Sequence, residues 1–274
     1  MSDDIEQHYA SDGIAERVLT AVRATLPAGA AVTAEALAPV DHFHGRGLAA
    51  TREMAALLMA QPGDRILDIG SGIGGPARWI AQNFGCTVTG IDLTRDFCVA
   101  AEELNRATGL ADRVRIVHGS ALSLPFPDAS FDRAYSQNVV MNIADKVAFY
   151  REARRVLKPG GILVLSNLAR GPGPEPTYPT PWAATAGTSF LSTLEETRSE
   201  IQAAGLEVRL AKDTTADNLP GLRAMRQKIE KDGPPKLSAH LIIGPRLHDY
   251  QRTTLRNAEE GRVVSIEIVA ERPA

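Results

Sequence analysis

The stretch Arg65-Ile-Leu-Asp-Ile-Gly-Ser-Gly-Ile-Gly-Gly75 decides the fold of this chain. A short apolar run contains the acidic residue Asp68 and ends in a glycine-rich turn, after which Pro76 opens a helical pattern. Glycine lets the backbone of a strand-to-helix turn approach a ligand closely, because it has no side chain and readily adopts a positive φ. The stretch therefore predicts a strand, a ligand-binding turn and a helix in succession.

The glycine spacing of this turn fits two kinds of ligand. Gly70, Gly72 and Gly75 match the dinucleotide pattern G-x-G-x-x-G, whereas Gly70, Gly72 and Gly74 match the G-x-G-x-G of S-adenosylmethionine (SAM) sites. Asp68 separates the two, because a carboxylate ahead of the first glycine repels a pyrophosphate and suits a ligand that carries an ammonium and a sulfonium. The residues favour SAM, and an NAD-binding oxidoreductase is the less favoured alternative.

Composition and charge restrict the class of protein. The chain has 274 residues, 44% of them hydrophobic, and a net charge of −3, which disfavours a broad nucleic-acid or anionic-membrane surface. Two cysteines, Cys86 and Cys98, make no disulfide framework and are predicted to be reduced, packed thiols. No segment reaches the roughly 18 apolar residues that a membrane span needs. We therefore expect a soluble, cytoplasmic protein, and the sequence is compatible with a homo-oligomer.

From residue 65 onward the pattern alternates between strands and helices. Alternation of this kind predicts right-handed β-α-β units and a mostly parallel sheet covered on both faces, an α/β fold. The predicted strands are 65–69, 87–91, 114–118, 131–136, 162–167, 206–211 and 262–270, and the predicted helices between them are 76–84, 95–108, 145–157 and 192–204.

Two further helical regions are predicted to cover the sheet. Residues 1–60 form an N-terminal helical cap, with helices over 12–26 and 46–60 and a polar connection, Asp41-His-Phe-His-Gly-Arg-Gly47, between them. Residues 61–274 form the ligand-binding domain, which contains a helical insertion at about 212–260 broken at Asp232-Gly-Pro-Pro235.

Four motifs in order give the chain a family resemblance. They are Leu67-Asp-Ile-Gly-Ser-Gly72, Gly90-Ile-Asp92, His118-Gly-Ser-Ala-Leu-Ser-Leu-Pro-Phe126 and Arg155-Val-Leu-Lys-Pro-Gly-Gly161. Residues 65–170 resemble the class I SAM-dependent methyltransferases that act on small molecules, similar to the sarcosine/dimethylglycine and tocopherol types. The resemblance implies a Rossmann-like sheet of seven strands in the order 3-2-1-4-5-7-6 with strand seven antiparallel, and SAM as the cofactor. We predict no metal site.

The cofactor residues follow from these motifs. Asp92 closes the second strand, where an acid can accept both ribose hydroxyls or cap the next helix. Family members often have Asp where this chain has Ser120, so the adenine contact falls to Ser120 or to the backbone at Ala121. The predicted set is Asp68, Gly70, Ser71, Gly72, Gly74, Asp92, Leu93, Ser120, Ala121 and Gln137.

Residues that act on the methyl acceptor are predicted with less support from motifs. His44 lies in a segment that resembles a SAM-covering segment, and its alternative is a surface or capping histidine. Asn142 stands where related enzymes often have His, which removes a base from that position. Asn138 and Trp182 are predicted to contact the substrate, and Trp182 could equally be a core residue.

The predicted reaction is methyl transfer to an N, O or C atom of a small-molecule acceptor. Two alternatives remain: a SAM-binding protein that catalyses cyclisation or only binds a partner, and a nucleic-acid methyltransferase. The second is disfavoured because Gln137-Asn-Val-Val140 replaces an Asn-Pro-Pro-Tyr type motif. Fold alone does not determine the acceptor.

Overall fold

The computed structural model describes residues 13–42, 44, 46–233, 235–244 and 247–274, with the backbone alone at 248. In this part of the chain, seven strands form one sheet in the order β3-β2-β1-β4-β5-β7-β6, which confirms the predicted order. Strand β7 is antiparallel to both neighbours, and the remaining pairs are parallel. The strands are β1 (Arg65–Ile69), β2 (Thr87–Asp92), β3 (Val114–His118), β4 (Phe131–Gln137), β5 (Leu157–Arg170), β6 (Glu207–Asp213) and β7 (Val263–Glu271).

Helices cover both faces of this sheet. Those before β1 are α1 (Ile14–Arg23), α2 (Ala34–Asp41) and α3 (Leu48–Leu58), and those between β1 and β6 are α4 (Gly75–Phe84), α5 (Arg95–Ala107), α6 (Lys146–Val156) and α7 (Leu194–Ala203). Between β6 and β7 lie α8 (Thr215–Asp232), α9 (His240–Ile243) and α10 (Leu247–Glu259). None of the described helices combines the length and the apolar character needed to cross a bilayer.

The sheet is buried because each face has its own apolar core. One core packs α6 and α7 against the sheet and includes Phe149 and Ile201. The other packs α3, α4 and α5 against the opposite face and includes Met54 and Ile80. Parallel strands are expected to be apolar on both faces for this reason. This explains why the apolar run that forms β1 is nearly continuous.

Helix α2 was not predicted from the sequence. Thr33 caps it by accepting a hydrogen bond from the Ala36 amide at 3.2 Å, but Pro39 lies inside it and disrupts the local helical signal. Its apolar side chains pack with α1 and α5 in a third core that includes Leu37 and Phe97. Tertiary packing therefore stabilises a segment whose local sequence does not favour a helix.

Several predicted features can now be located. Cys86 and Cys98 are free thiols and buried, as expected. Strand β5 begins earlier than predicted, at Leu157, and its pairing with β4 is irregular near the expected turn at 158–161. The division into a cap over 1–60 and a domain over 61–274 stays a prediction; residues 1–12, Phe43, Gly45 and Pro234 lie outside the described residues.

Candidate functional site

The carboxyl ends of the central strands open onto a cavity of about 330 Å³. Open α/β sheets bind ligands at this edge, where the strand order reverses. All the predicted cofactor residues except Gly74 line it: Asp68, Gly70, Ser71, Gly72, Asp92, Leu93, Ser120, Ala121 and Gln137. Gly74 instead ends the turn at a φ of 82° ahead of α4, and a side chain there would press on the Arg78 guanidinium.

Gly70 and Gly75 are each required in the turn for a different physical reason. Gly70 adopts a φ of 84°, and an added Cβ would lie 2.2 Å from Val139 Cγ2. Gly75 is required by packing, because a Cβ there would lie 2.4 Å from the Asp41 carbonyl oxygen. Gly75 is the third glycine of the apparent dinucleotide pattern. The close approach of the N-terminal segment explains its presence, so no bound dinucleotide is needed to account for it.

The amide groups of the turn are used by the protein itself. The amides of Gly70 and Ser71 donate to the Ile91 carbonyl at 2.8 and 3.0 Å, and the Gly72 amide donates to Asp92 Oδ2 at 2.8 Å. Phosphate cradles depend on amides that point at the ligand. This turn leaves those three amides unavailable to a pyrophosphate, which argues against NAD.

Asp92 both shapes the turn and faces the cavity. Its Oδ2 accepts from the Gly72 amide, and its Oδ1 accepts from the Thr94 amide at 2.9 Å at the start of α5. Burial raises the pKa of the Asp92 carboxyl, which the two amides partly oppose. The side chain remains partly exposed towards the cavity, so the ribose and turn-bracing interpretations are compatible.

Asp68 lies at the end of β1, almost completely buried. Tyr135 on the adjacent strand β4 donates its hydroxyl to Asp68 Oδ2 at 2.8 Å. Burial raises the pKa of Asp68 to about 7, and the nearby Asp92 carboxylate adds to the shift, while the Tyr135 hydrogen bond lowers it. Two carboxyl groups in one cavity favour a cationic ligand, which would hold both in the ionised form.

Two buried polar atoms of the cavity lack a partner among the described residues. They are the Ser71 hydroxyl oxygen and Gln137 Nε2. Buried polar groups are normally hydrogen-bonded, so these atoms indicate a ligand with hydrogen-bonding groups both at the glycine turn and at the end of β4. SAM, with ribose hydroxyls and a carboxylate, fits this set together with Asp68 and Asp92.

Ser120 and Ala121, which were predicted to contact adenine, lie side by side in the cavity. Ser120 accepts a hydrogen bond from the Leu122 amide at 3.2 Å and lines the cavity beside Ala121. Its hydroxyl is therefore partly engaged in the turn. The adenine contact of Ser120 or of the Ala121 backbone stays a prediction.

A hydrogen-bonded chain links the N-terminal segment to β4. Thr51 on α3 donates to Gln137 Oε1 at 3.2 Å, and Thr51 Oγ1 lies 2.9 Å from His42 Nδ1 and 3.3 Å from His44 Nε2. Since the hydroxyl has one proton, both imidazoles must donate to its oxygen. Burial lowers the pKa of His42 to about 3, so that ring is neutral. His44 lines the cavity, and His42 does not.

A buried ion pair fixes the same segment to the turn. Arg78 on α4 donates to both carboxylate oxygens of Asp41, at 2.6 and 3.2 Å, and to the Ile73 carbonyl at 2.8 Å. A further bond reaches Asn105 at 2.8 Å. Arg78 and Asp41 are 0% and 1% exposed. The pair therefore connects the end of α2 directly to the glycine turn.

A second cavity of about 160 Å³ adjoins the first. His44 and Asn138 line both cavities. Asn138 follows β4 at a φ of 56°, a left-handed conformation that Asn tolerates better than most residues. The second cavity is closed on one side by Trp182 and on another by α8 and α10, which contribute Asn218 and Thr254.

Asn142 and Trp182 are joined to each other. Asn142 Nδ2 donates to the carbonyl oxygens of Trp182 at 2.7 Å and Thr188 at 3.1 Å. The Trp182 indole donates to Ser189 Oγ at 3.0 Å and is 3% exposed. The Asn142 amide nitrogen thus holds the loop after β5, and Asn142 also lines the cofactor cavity. Its catalytic role stays a prediction.

Several residues of the site were missed from the sequence. Tyr135, Thr51 and Arg78 reach the site by contacts between residues far apart in the chain. Glu267 lines the second cavity from β7, and no local motif marks it. An acid between the apolar residues Ile266 and Ile268 of a predicted strand was the available signal.

Comparison with known proteins places the chain in a family. A methyltransferase domain model matches residues 67–165. The 27-O-demethylrifamycin SV methyltransferase of Amycolatopsis mediterranei is 31% identical over 183 residues, which cover 66% of this chain and 67% of the relative. The chain therefore belongs to the class I SAM-dependent methyltransferases, and its cofactor is SAM.

Solved structures agree with this assignment. Haemonchus contortus phosphoethanolamine N-methyltransferase 2 in complex with SAM is 25% identical with a TM-score of 0.72, over 85% of this chain and 54% of that one. The [4+2]-cyclase SpnF shares the fold, at 22% identity and a TM-score of 0.71 over 100% and 97% of the two chains. The chain spans about a third to a half of the length of several curated relatives that it matches.

Proposed function

We propose that this protein transfers a methyl group from SAM to a nitrogen, oxygen or carbon atom of a small molecule held in the second cavity. The observation that supports this most directly is the junction of the two cavities at His44 and Asn138. A molecule in the second cavity would lie beside the part of the cofactor cavity next to Gln137. SAM, when bound, supplies a methyl group on a sulfonium that is already reactive towards nucleophiles.

The residues at the junction serve mainly to align and to exclude water. Thr51 holds His44 at the junction, and Asn142 anchors the loop that places Trp182 against the acceptor. We assign His44 and Asn138 to acceptor contact and Gln137, through its unpartnered Nε2, to the cofactor. Asn142 is an indirect contributor in this proposal.

The acceptor is a small molecule by size and charge. A cavity of roughly 150 Å³ accommodates a molecule the size of benzene, so the second cavity, at about 160 Å³, holds one ring or its equivalent. The net charge of −3 gives no support to a nucleic-acid acceptor. The rifamycin relative and the phosphoethanolamine neighbour are named for O- and N-methylation, which supports either atom as the site of transfer.

The two buried free thiols support a reducing, cytoplasmic location.

The proposal is tested with SAM labelled in its methyl group. The protein is incubated with a protein-free metabolite extract, and label in small molecules and demethylated SAM are both measured. We expect equal amounts of labelled product and demethylated cofactor from the wild type, and at least about tenfold less of both from Asp92→Ala at limiting SAM. Tight SAM binding with a rearranged metabolite and no loss of label would instead indicate cyclisation, the chemistry named for SpnF.

A further inference from the structure

Glu267 is an acidic side chain that the described contacts leave without a hydrogen bond. It lies on β7 and lines the second cavity, half-buried. The two cations near it are each paired with another acid: Arg46 with Glu53, and Lys212 with Asp217 at 2.8 Å. Among the described residues, Glu267 is therefore the acid of this cavity that has no ion pair or hydrogen bond of its own, although Lys212 and Arg46 lie near enough to lower its pKa.

Strand register places Glu267 in line with the cofactor cavity. Gln137 on β4 is the register partner of Ser166 on β5, and Ser166 is the partner of Glu267 on β7. Register partners project to the same face of a sheet, and neighbouring strands lie about 4.8 Å apart. Glu267 thus stands about 10 Å along the sheet from Gln137, a separation that one ring-sized molecule fills.

Other polar atoms of the second cavity also lack partners among the described residues. Three of the four are oxygens that can accept hydrogen bonds, and the fourth is a guanidinium nitrogen; they are Asn167 Oδ1, Asn218 Oδ1, Thr254 Oγ1 and Arg46 Nε. Buried polar atoms are normally hydrogen-bonded, and a ligand with N–H or O–H groups would supply donors to the two amide oxygens and to the hydroxyl. Trp182 and Leu222 supply apolar walls around them.

Building on the proposed function, we infer that the methyl acceptor is a ring-sized molecule rich in N–H or O–H groups, and that Glu267 binds its nucleophilic amine or hydroxyl and takes the proton. The acceptor nitrogen or oxygen forms a bond to the methyl carbon as the carbon–sulfur bond breaks with its electron pair left on sulfur. The proton of the attacking group passes to the Glu267 carboxylate and then to water. An apolar acceptor methylated on carbon does not fit this site.

The electrostatic environment of Glu267 suits this role. Partial burial raises the pKa of Glu267, and Glu53 and Asp217 add to the shift, whereas Lys212 and Arg46 lower it. A carboxyl group whose pKa moves towards neutrality is a better proton acceptor than an exposed one. His44 faces the same cavity, so its titration must be separated from that of Glu267.

Binding of matched probes tests the acceptor class without requiring turnover. Benzylamine, benzyl alcohol, toluene and benzoate, which share one ring, are compared by ligand-observed NMR on protein saturated with demethylated SAM. We expect benzylamine and benzyl alcohol to bind better than toluene and benzoate. Glu267→Gln should weaken benzylamine at least about tenfold and strengthen benzoate. Glu271→Gln, on the same strand beside Arg209, should change neither.

The outcomes separate this inference from the proposed function. Failure of the wild type to bind demethylated SAM would contradict the proposed function. Normal cofactor binding, with toluene bound as well as benzylamine and no effect of Glu267→Gln, would overturn the acceptor class alone. The relative binding of benzylamine and benzyl alcohol shows whether the amine or the hydroxyl is preferred.

Kinetics with the acceptor found by methyl labelling test the proton transfer. Glu267→Gln should lower kcat by about 100-fold or more with unchanged SAM affinity, and should remove the acidic limb of the pH–rate profile. The His44→Ala profile should keep that limb. A raised KM with unchanged kcat in Glu267→Gln would show that Glu267 only binds the acceptor, and would overturn its role as proton acceptor.

Discussion

Asp92 contacts the turn and is also positioned to bind a ligand. Its two oxygens accept amides of Gly72 and Thr94, yet the carboxylate faces the cavity. Hydrogen bonds to a charged acceptor contribute about 1.5–3 kcal/mol each. Loss of the carboxylate therefore affects affinity even where the fold survives.

For Asp92→Ala we expect SAM affinity to fall at least about tenfold, because ribose hydrogen bonds to a carboxylate are lost. Calorimetric titration with SAM measures the change, and circular dichroism checks the fold. Asp92→Asn is the matched control that keeps the shape and one acceptor, and it should lose less. Unchanged affinity in Asp92→Ala would reduce Asp92 to a brace for the turn.

Asp68 should make stability depend on pH. Its pKa in the folded protein is about 7, raised from 3.8 mainly by burial. Between these two values the folded state binds more protons than the unfolded state, so the free energy of unfolding falls as pH rises from about 4 to about 7. The contribution is full at low pH and is lost above pH 7.

We measure the free energy of unfolding of the cofactor-free protein in urea between pH 4.5 and 8. For Asp68→Asn, this free energy should fall less steeply with rising pH than it does for the wild type. Tyr135→Phe is the counterpart: it removes a hydrogen bond that lowers the pKa of Asp68, so the fall should extend to higher pH. An identical pH dependence in wild type and Asp68→Asn would contradict the assignment of this titration to Asp68.

At the scale of elements, the pair of Asp41 and Arg78 joins α2 to α4. Both side chains are buried, and Arg78 also holds the Ile73 carbonyl inside the glycine turn. Removal of one member of such a pair leaves an uncompensated charge, which costs about 3–5 kcal/mol. Helix α2 and the glycine turn are therefore energetically coupled.

We expect Asp41→Asn to lower the free energy of unfolding by about 3–5 kcal/mol in urea titrations and to weaken SAM binding. The double variant Asp41→Leu with Arg78→Met should recover most of the stability, because no buried charge remains. Lys228→Gln removes an exposed pair on α8 and should leave the urea midpoint unchanged. A neutral effect of Asp41→Asn would show that the pair is dispensable.

At the scale of the whole molecule, two separate regions enclose the site. The segment after α2 contributes His44 and Arg46, and the insertion between β6 and β7 contributes Asn218, Ile243 and Thr254. Elements that close over a ligand exclude water and become ordered when it binds. Both regions should therefore respond to the cofactor although they are far apart in sequence.

Hydrogen exchange with and without demethylated SAM should show added protection in residues 38–50 and in part of 212–260. Thr51 and Gln137 connect the first of these regions to the cofactor cavity, which gives a physical route for the effect. Segment 194–203, helix α7, lines neither cavity and is the internal reference. Protection restricted to 65–140 would contradict closure of the cap.

The sequence by itself determined the sheet, the glycine turn and its acids, because strand-to-helix turns and buried parallel strands leave local patterns. Only the tertiary structure decided the rest: that Gly75 serves packing, that Arg78 and Tyr135 hold Asp41 and Asp68, and that Glu267 faces a second cavity. Helix α2 was hidden by Pro39 and is stabilised by contacts with distant helices. These features depend on strand register and on pairs of residues far apart in the chain, and neither has a signature within a short window of sequence.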